Sequence, residues 1–345
     1  MTPANLWDRD YLLDDRGNFL KVVGERHPKA GVVSYVKYFP SQYGARDIQG
    51  KQYGYNSFVP KSFVILQEDH DRVAFSPFHG GILTVTPSNR IKQCFSCTDK
   101  LRQIRSEFEE YQRHPVGAAL VQLLSYLENH VPIDQIGITG SFLIDAYNLV
   151  SDIDLVCYGE DVRLAVSKAL SECSQMESYE RHALRLYNRR MIHMAPMDFS
   201  LLMKQEQRKI QGLWGGKIHV NCQPLRCRQG QTIFKDLTFI EVGEISCIAQ
   251  IENDQEGNFA PAYYEIRVLD IINSVFDGSI GCASEIKAFI SYIGAYAGSF
   301  REGERVYLDG KLVQVRRGAE QFYAIEVTPW NTQRTFKAQL LPTHI

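Results

Sequence analysis

Two carboxylates flank one apolar residue in Asp152-Ile153-Asp154, and the pair Gly140-Ser141 stands ten residues before them. The run from Asp152 to Tyr158 alternates as a strand does, so period two puts both carboxylates on one face and Ile153 and Leu155 on the other. Neighbouring carboxylates repel, and a divalent cation offsets that cost. Upstream, Ile136 to Thr139 reads as a short strand, and Gly140-Ser141 opens a turn into a short helix over Phe142 to Tyr147. Glycine lets the backbone approach an anion closely, and the exposed amides and the Ser141 hydroxyl can donate to phosphate oxygens. The chemistry this spacing suits is a phosphate cradle beside a metal-binding carboxylate pair.

This arrangement resembles the DNA polymerase β superfamily of nucleotidyltransferases, marked by an apolar residue, Gly-Ser or Gly-Gly, about a dozen residues and an acidic-apolar-acidic strand. The resemblance covers roughly residues 114 to 203. It implies a third carboxylate on a following strand, for which Asp198 in Met197-Asp198-Phe199 is the best match, with Glu177 and Glu180 also downstream. It further implies that Asp152, Asp154 and Asp198 hold two Mg²⁺ ions, Mn²⁺ being a possible substitute, in a two-metal displacement that transfers a nucleoside monophosphate from an NTP to an acceptor hydroxyl. Asp198 is then the candidate general base, while Gly140 and Ser141 hold the β and γ phosphates. The acceptor is an RNA end, another nucleotide, a protein side chain or a small molecule. A different reading keeps the core as an inactive scaffold and gives the flanking domains a nucleic-acid-binding task.

Between Tyr179 and Lys217 stand eight basic residues, Arg181, Arg185, Arg189, Arg190, Lys204, Arg208, Lys209 and Lys217, against the acids Glu180, Asp198 and Glu206. Such a run is either a solvated face or a contact for the triphosphate. Arg185 and Arg189, four apart, share a helical face, whereas Arg189-Arg190 would split across a strand. His182, His193 and His219 pair with no nucleophile motif, and core or surface roles are expected for them.

The bulk composition sets limits on these readings. The 44% apolar and 23% charged fractions are those of a soluble globular protein, and 345 residues predict two or three domains. With 38 Lys plus Arg against 40 Asp plus Glu, no global attraction for polyanions exists, so nucleic-acid affinity must come from local patches. The first residues carry neither a basic start nor an apolar run, and no stretch has membrane-span length, so no membrane association is expected. Eight scattered cysteines favour a reducing cytoplasm. Cys94, Cys97, Cys222 and Cys227 could supply four thiolates to zinc, although the wider second spacing favours free thiols.

Hydrophobic periodicity predicts an α+β chain with an N-terminal β-rich module (1–113) and a C-terminal β-barrel-like domain (231–345), and the resemblance implies a polymerase-β-like nucleotidyltransferase core (114–230) between them. The first module includes a hairpin over Tyr11 to Val23 and strands over Val32 to Phe39, Ser62 to Leu66 and Arg72 to Phe75. Its Tyr and Phe residues suit a core better than base stacking. Helices are expected over Thr98 to Arg113, Val116 to Asn129 and Asp161 to Ser171, with His114-Pro115 as the boundary. Strands follow at Thr238 to Ile251, Tyr263 to Leu269, Val306 to Leu308, Leu312 to Val315 and Gln321 to Val327. Asp309-Gly310 reads as a hairpin turn and Ser284 to Ile293 as an amphipathic helix. This layout loosely resembles predicted archaeal nucleotidyltransferases of unassigned substrate.

Overall fold

The structure, a computed structural model, describes residues 6–191, 198–227, 233–234, 236–276, 283–330 and 337–342, with the side chains of 180, 181 and 189 excepted. The chain is α+β, and its described strands form three sheets.

The first sheet collects β1 (Tyr11–Asp14), β2 (Phe19–Val22), β3 (Val32–Pro40), β4 (Arg46–Ile48) and β5 (Lys51–Tyr55), then, after helix α1 (Lys61–Ile65), β6 (Val73–Ser76), β7 (Gly81–Thr86) and β8 (Ile91–Phe95). The β1–β2 hairpin forms where the sequence predicts it, because the Asp14 carboxylate accepts the amides of Arg16 at 2.9 Å and Asn18 at 2.7 Å while Gly17 takes φ +82°. The expected strand over Ser62 to Leu66 is instead α1. Pro60 already holds helical dihedrals at its start, and the Ser62 hydroxyl accepts the Val36 amide at 3.1 Å, pinning the turn to β3.

The second unit runs through α2 (Cys97–Ser106), α3 (Phe108–Tyr111), α4 (Pro115–Leu127), β9 (Ile136–Thr139), β10 (Ile153–Tyr158), α5 (Glu160–Glu172), β11 (Met176–Glu177), α6 (Ala183–Met191), α7 (Phe199–Glu206), β12 (Gln211–Trp214) and β13 (Ile218–Leu225). Its sheet order is β11-β12-β13-β10-β9, with β10 parallel to β13 and antiparallel to β9. His114 caps α4, its Nδ1 accepting the Val116 amide at 3.3 Å, and Pro115 fills the first helical position. Ile153, Leu155, Cys157, Val220 and Cys222 pack under α4 and α5 with Leu120, Leu124, Val162 and Val166. Leu101 and Ile104 of α2 share that cluster. On the opposite face Val156, Tyr158 and Leu225 pack with Tyr11, Phe19, Tyr38 and Tyr53, so the first sheet lies over the face that carries the paired aspartates.

The third sheet comprises β14 (Leu237–Asn253), β15 (Ala262–Phe276), β16 (Ile286–Ser291), β17 (Arg305–Arg317), β18 (Glu320–Val327) and β19 (Lys337–Leu340). Pairings run β14-β15-β16-β18-β17 and return to β14, closing a ring of five strands with β19 added to β17. Two local expectations fail here. Ser284 to Ile293 contains a strand, since Ile286, Ala288, Phe289 and Ile290 are all buried between β15 and β18 and no solvent face remains for a helix. Asp309-Gly310 does not turn but lies mid-strand in β17. Asp309 accepts the Ser246 hydroxyl at 2.8 Å, and a Cβ on Gly310 would stand 2.7 Å from the Glu326 carbonyl oxygen.

Glu326, on β18, is fully buried, and neither carboxylate oxygen has a hydrogen-bond partner among the described residues. Burial, aided by Glu241 and opposed by Lys311, pushes its pKa from 4.5 up to about 8. The folded state therefore holds a proton that the unfolded chain has released. The resulting contribution to stability is fully present below about 4.5 and is lost as the pH rises towards 8. We predict that Glu326→Gln stabilises the protein relative to the parent, increasingly so from pH 5 to pH 8. Denaturant unfolding of both proteins across that range measures the difference, which cancels the contributions of the buried neutral imidazoles of His27 and His79. A difference that does not change with pH would refute the assignment.

Candidate functional site

The Gly140 turn follows β9 directly, and Thr139 pairs across the ladder with Asp154 of β10. Gly140 takes φ +69°, and a Cβ built on it would stand 2.5 Å from Asp154 Oδ2. Glycine is thus required twice, for a left-handed backbone and for the carboxylate seated against it. Ser141 starts a 3-10 turn over Phe142–Ile144, and its side chain makes no capping hydrogen bond there. The turn is held from behind by Phe142, Leu143 and Ile144, all buried. Arg46 of β4 reaches over to Ser151 Oγ at 3.2 Å, tying the segment before Asp152 to the first sheet.

We predict that Gly140→Ala lowers stability by roughly 1–3 kcal/mol, the usual cost of a non-glycine residue held in this conformation. The same change should displace the Asp154 carboxylate. Equilibrium denaturation checks the first outcome, and an unchanged unfolding midpoint would contradict it.

Across the parallel ladder, Asp154 pairs with Asn221 of β13, and His219 Nδ1 lies 3.9 Å from Asp152 Oδ1. His219 is buried, and neither of its ring nitrogens has a hydrogen-bond partner among the described residues. Burial lowers its pKa against the opposing pull of Asp152 and Asp154, so the imidazole is neutral at pH 7. The strand beside the aspartates therefore carries a histidine and an amide where a third carboxylate was sought.

Among the described residues Asp198 itself is not in a strand, Phe199 begins a helix, and Met197 lies outside the described residues. Asp198 is exposed and caps α7, accepting the Ser200 amide at 2.9 Å and the Leu201 amide at 3.1 Å. These bonds, led by that from the Ser200 hydroxyl, lower its pKa. In sequence an aspartate before an apolar helix start and one between apolar strand residues look alike over three positions. Among the described residues no group of three or more His, Cys, Asp or Glu side chains is placed to hold a metal ion. Asp152 and Asp154 supply two carboxylates, and Mg²⁺ is commonly held by one or two carboxylates together with substrate phosphates.

Four of the eight basic residues of the run form ion pairs. Arg190 meets Glu206 at 2.8 Å, Lys209 also pairs with Glu206, and Arg208 and Lys204 pair with Glu304 at 2.6 and 3.3 Å. Arg185 is exposed on α6, and the Arg189 side chain lies outside the described residues, as does His193. Arg185, Arg189 and Arg190 all lie within α6, so of the helical and strand alternatives for this run the helical one holds. The zinc candidates separate: Cys97 sits under the first sheet, Cys222 lies beside Cys157 under the helices, and Cys227 is exposed.

What sequence reasoning missed is the contribution of the first sheet. Arg9, Lys21 of β2 and Lys37 of β3 line, together with Asn221 and Gln223 of β13, a cavity of about 510 Å³. Lysines alternating with aromatic and aliphatic residues in Phe19-Leu-Lys-Val and Tyr35-Val-Lys-Tyr were the available signal, since they share the inward period of Phe19 and Tyr35.

The uncharacterized protein MJ1086 of Methanocaldococcus jannaschii is 22% identical to this chain over 343 residues, covering 89% of this chain and 90% of that protein. No family model and no solved structure matches the chain. None of the described helices is long and apolar enough to cross a membrane.

Proposed function

We propose that the chain is a divalent-metal-dependent nucleotidyltransferase with a polymerase-β-like core, transferring a nucleoside monophosphate from an NTP to an acceptor hydroxyl with release of pyrophosphate. The observation that carries this reading is the Gly140 turn set against Asp154, with Asp152 just before β10 and 3.9 Å from His219 Nδ1. A bound Mg²⁺ or Mn²⁺ would neutralise phosphate charge and lower the pKa of a coordinated hydroxyl. Asp152 and Asp154 would hold that ion, and their repulsion is what its charge relieves. The amides after Gly140 and the Ser141 hydroxyl would hold phosphate oxygens of the leaving pyrophosphate at a turn fixed before the substrate arrives.

His219 and Asn221 stand beside the pair where a third carboxylate would complete the two-ion arrangement. The reading accordingly rests on one protein-held ion, with the nucleotide supplying further ligands. Asp198, engaged as a helix cap, is given no part in the reaction.

The experiment is incubation with each labelled NTP and Mg²⁺ or Mn²⁺, alone and with cellular RNA or small-molecule extracts, followed by separation of products. Label in RNA, in protein or in a new small nucleotide, with stoichiometric pyrophosphate, supports transfer and names the acceptor. Absence of any labelled product, with salt-dependent RNA binding instead, would replace the reading with that of a nucleic-acid-binding scaffold.

A further inference from the structure

Seven cationic side chains and one carboxylate, Asp8, line the 510 Å³ cavity between the first sheet, β13 and the loop around Gly294. Four of the cations pair with acids outside the cavity lining: Arg163 with Glu160, Arg190 and Lys209 with the single carboxylate of Glu206, and Arg208 with Glu304. The remaining three come from the N-terminal part of the chain. Arg9 reaches Asp8 at 3.2 Å and Gln223 Oε1 at 3.4 Å. Lys37 donates to the Tyr55 hydroxyl at 2.8 Å and lies over that ring. Lys21 faces Tyr35 across the β2–β3 ladder, and its ammonium has neither a hydrogen bond nor an ion pair among the described residues.

Enclosed cations that repel one another are costly unless an anion joins them. Burial, then Arg9 and Lys37, pull the Lys21 amine down to about 7, against the opposing attraction of Asp8 and Asp154. The cavity has the volume of a small-molecule site. Asn221 and Gln223 add neutral hydrogen-bonding groups on the wall next to Asp154.

We propose that this cavity binds a small phosphorylated molecule carrying at least two negative charges, with Lys21 and Lys37 as its charge partners and Arg9 as a fork on one phosphate. That this molecule is a reactant rests on the transfer reading of the Asp152–Asp154 face; its binding does not. The phosphate belongs either to the triphosphate tail of the donor or to the acceptor, and the probes separate these.

The test is calorimetric titration of the full chain with inorganic tripolyphosphate and, separately, with ribose 5-phosphate, both in EDTA. Saturable binding of tripolyphosphate alone assigns the donor tail, and binding of ribose 5-phosphate assigns the acceptor; either supports the proposal. Lys21→Met and Lys37→Met should each weaken binding roughly tenfold or more, as loss of a charge-assisted contact does. Lys21→Met should also melt no lower than the parent, because it removes an unpaired ammonium, which shows that lost affinity is not lost fold. Asp152→Asn with Asp154→Asn should retain the binding, so an enzyme without turnover and a cavity without ligand are distinguishable results. Failure of both probes to bind, equal affinity in both lysine variants and the parent, or lysine-dependent binding of a single-stranded RNA in place of both probes would overturn the proposal.

Discussion

Asp152→Asn combined with Asp154→Asn is expected to reduce nucleotide transfer by roughly a thousandfold or more while leaving the fold intact. The pair contributes charge that an amide cannot, and loss of several kcal/mol of metal-borne stabilisation corresponds to that factor. Stability moves in the other direction. In EDTA the double variant should melt at or slightly above the parent, because neutral side chains of the same shape relieve the repulsion between carboxylates on one strand face. Mg²⁺ with the cognate NTP should raise the melting temperature of the parent and not of the variant, since only ligands of the native state stabilise it. Full activity in the double variant would remove the aspartate pair from the chemistry.

Arg72→Met is expected to cost about 3–5 kcal/mol of stability, the price of breaking a buried ion pair from one side. Arg72 is fully buried, with Asp14 at 2.9 Å, Asp15 at 2.6 Å and Asp69 at 3.3 Å. Asp14 is also fully buried, and it carries the β1–β2 turn through the Arg16 and Asn18 amides. Methionine fills much of the space but leaves the buried Asp14 carboxylate without its cation, so it must take up a proton or admit water, whereas Asp69 keeps Arg16 at 2.7 Å. Denaturant unfolding at pH 7 reads the loss as a lowered midpoint. Asp14→Asn added to Arg72→Met should recover part of it, because the two positions are coupled. A loss below about 1 kcal/mol would place the pair among those that contribute little.

The parts of this fold legible in the sequence are those where local chemistry and tertiary demand agree. Asp14 to Gly17 supplies its own turn hydrogen bonds, His114-Pro115 its own helix start, and Asp152 to Tyr158 a period that no partner contradicts. Failures fall where burial overrides that local signal. Asp309-Gly310 has the composition of a turn, but β14 pairs with both residues and β19 pairs with Asp309 on the other side, holding them in a continuous strand. Ser284 to Ile293 has helical spacing of apolar residues, yet burial on both faces makes Ile286–Ser291 a strand. At the candidate site, the Gly140 turn and the Asp152–Asp154 face were legible because all their residues lie within one short stretch. Lys21, Lys37 and His219 were not, because each reaches the site through sheet packing between segments far apart in sequence, which no local spacing records.

The most direct test of the central claim is a crystal structure of the protein with Mn²⁺ and non-hydrolysable nucleoside triphosphates, read at the manganese absorption edge. The account predicts an anomalous peak within coordination distance of both the Asp152 and Asp154 carboxylates, with the nucleotide phosphates on its far side and the Gly140-Ser141 turn against them. A nucleotide bound elsewhere, or manganese bound away from this pair with the nucleotide present, would contradict it.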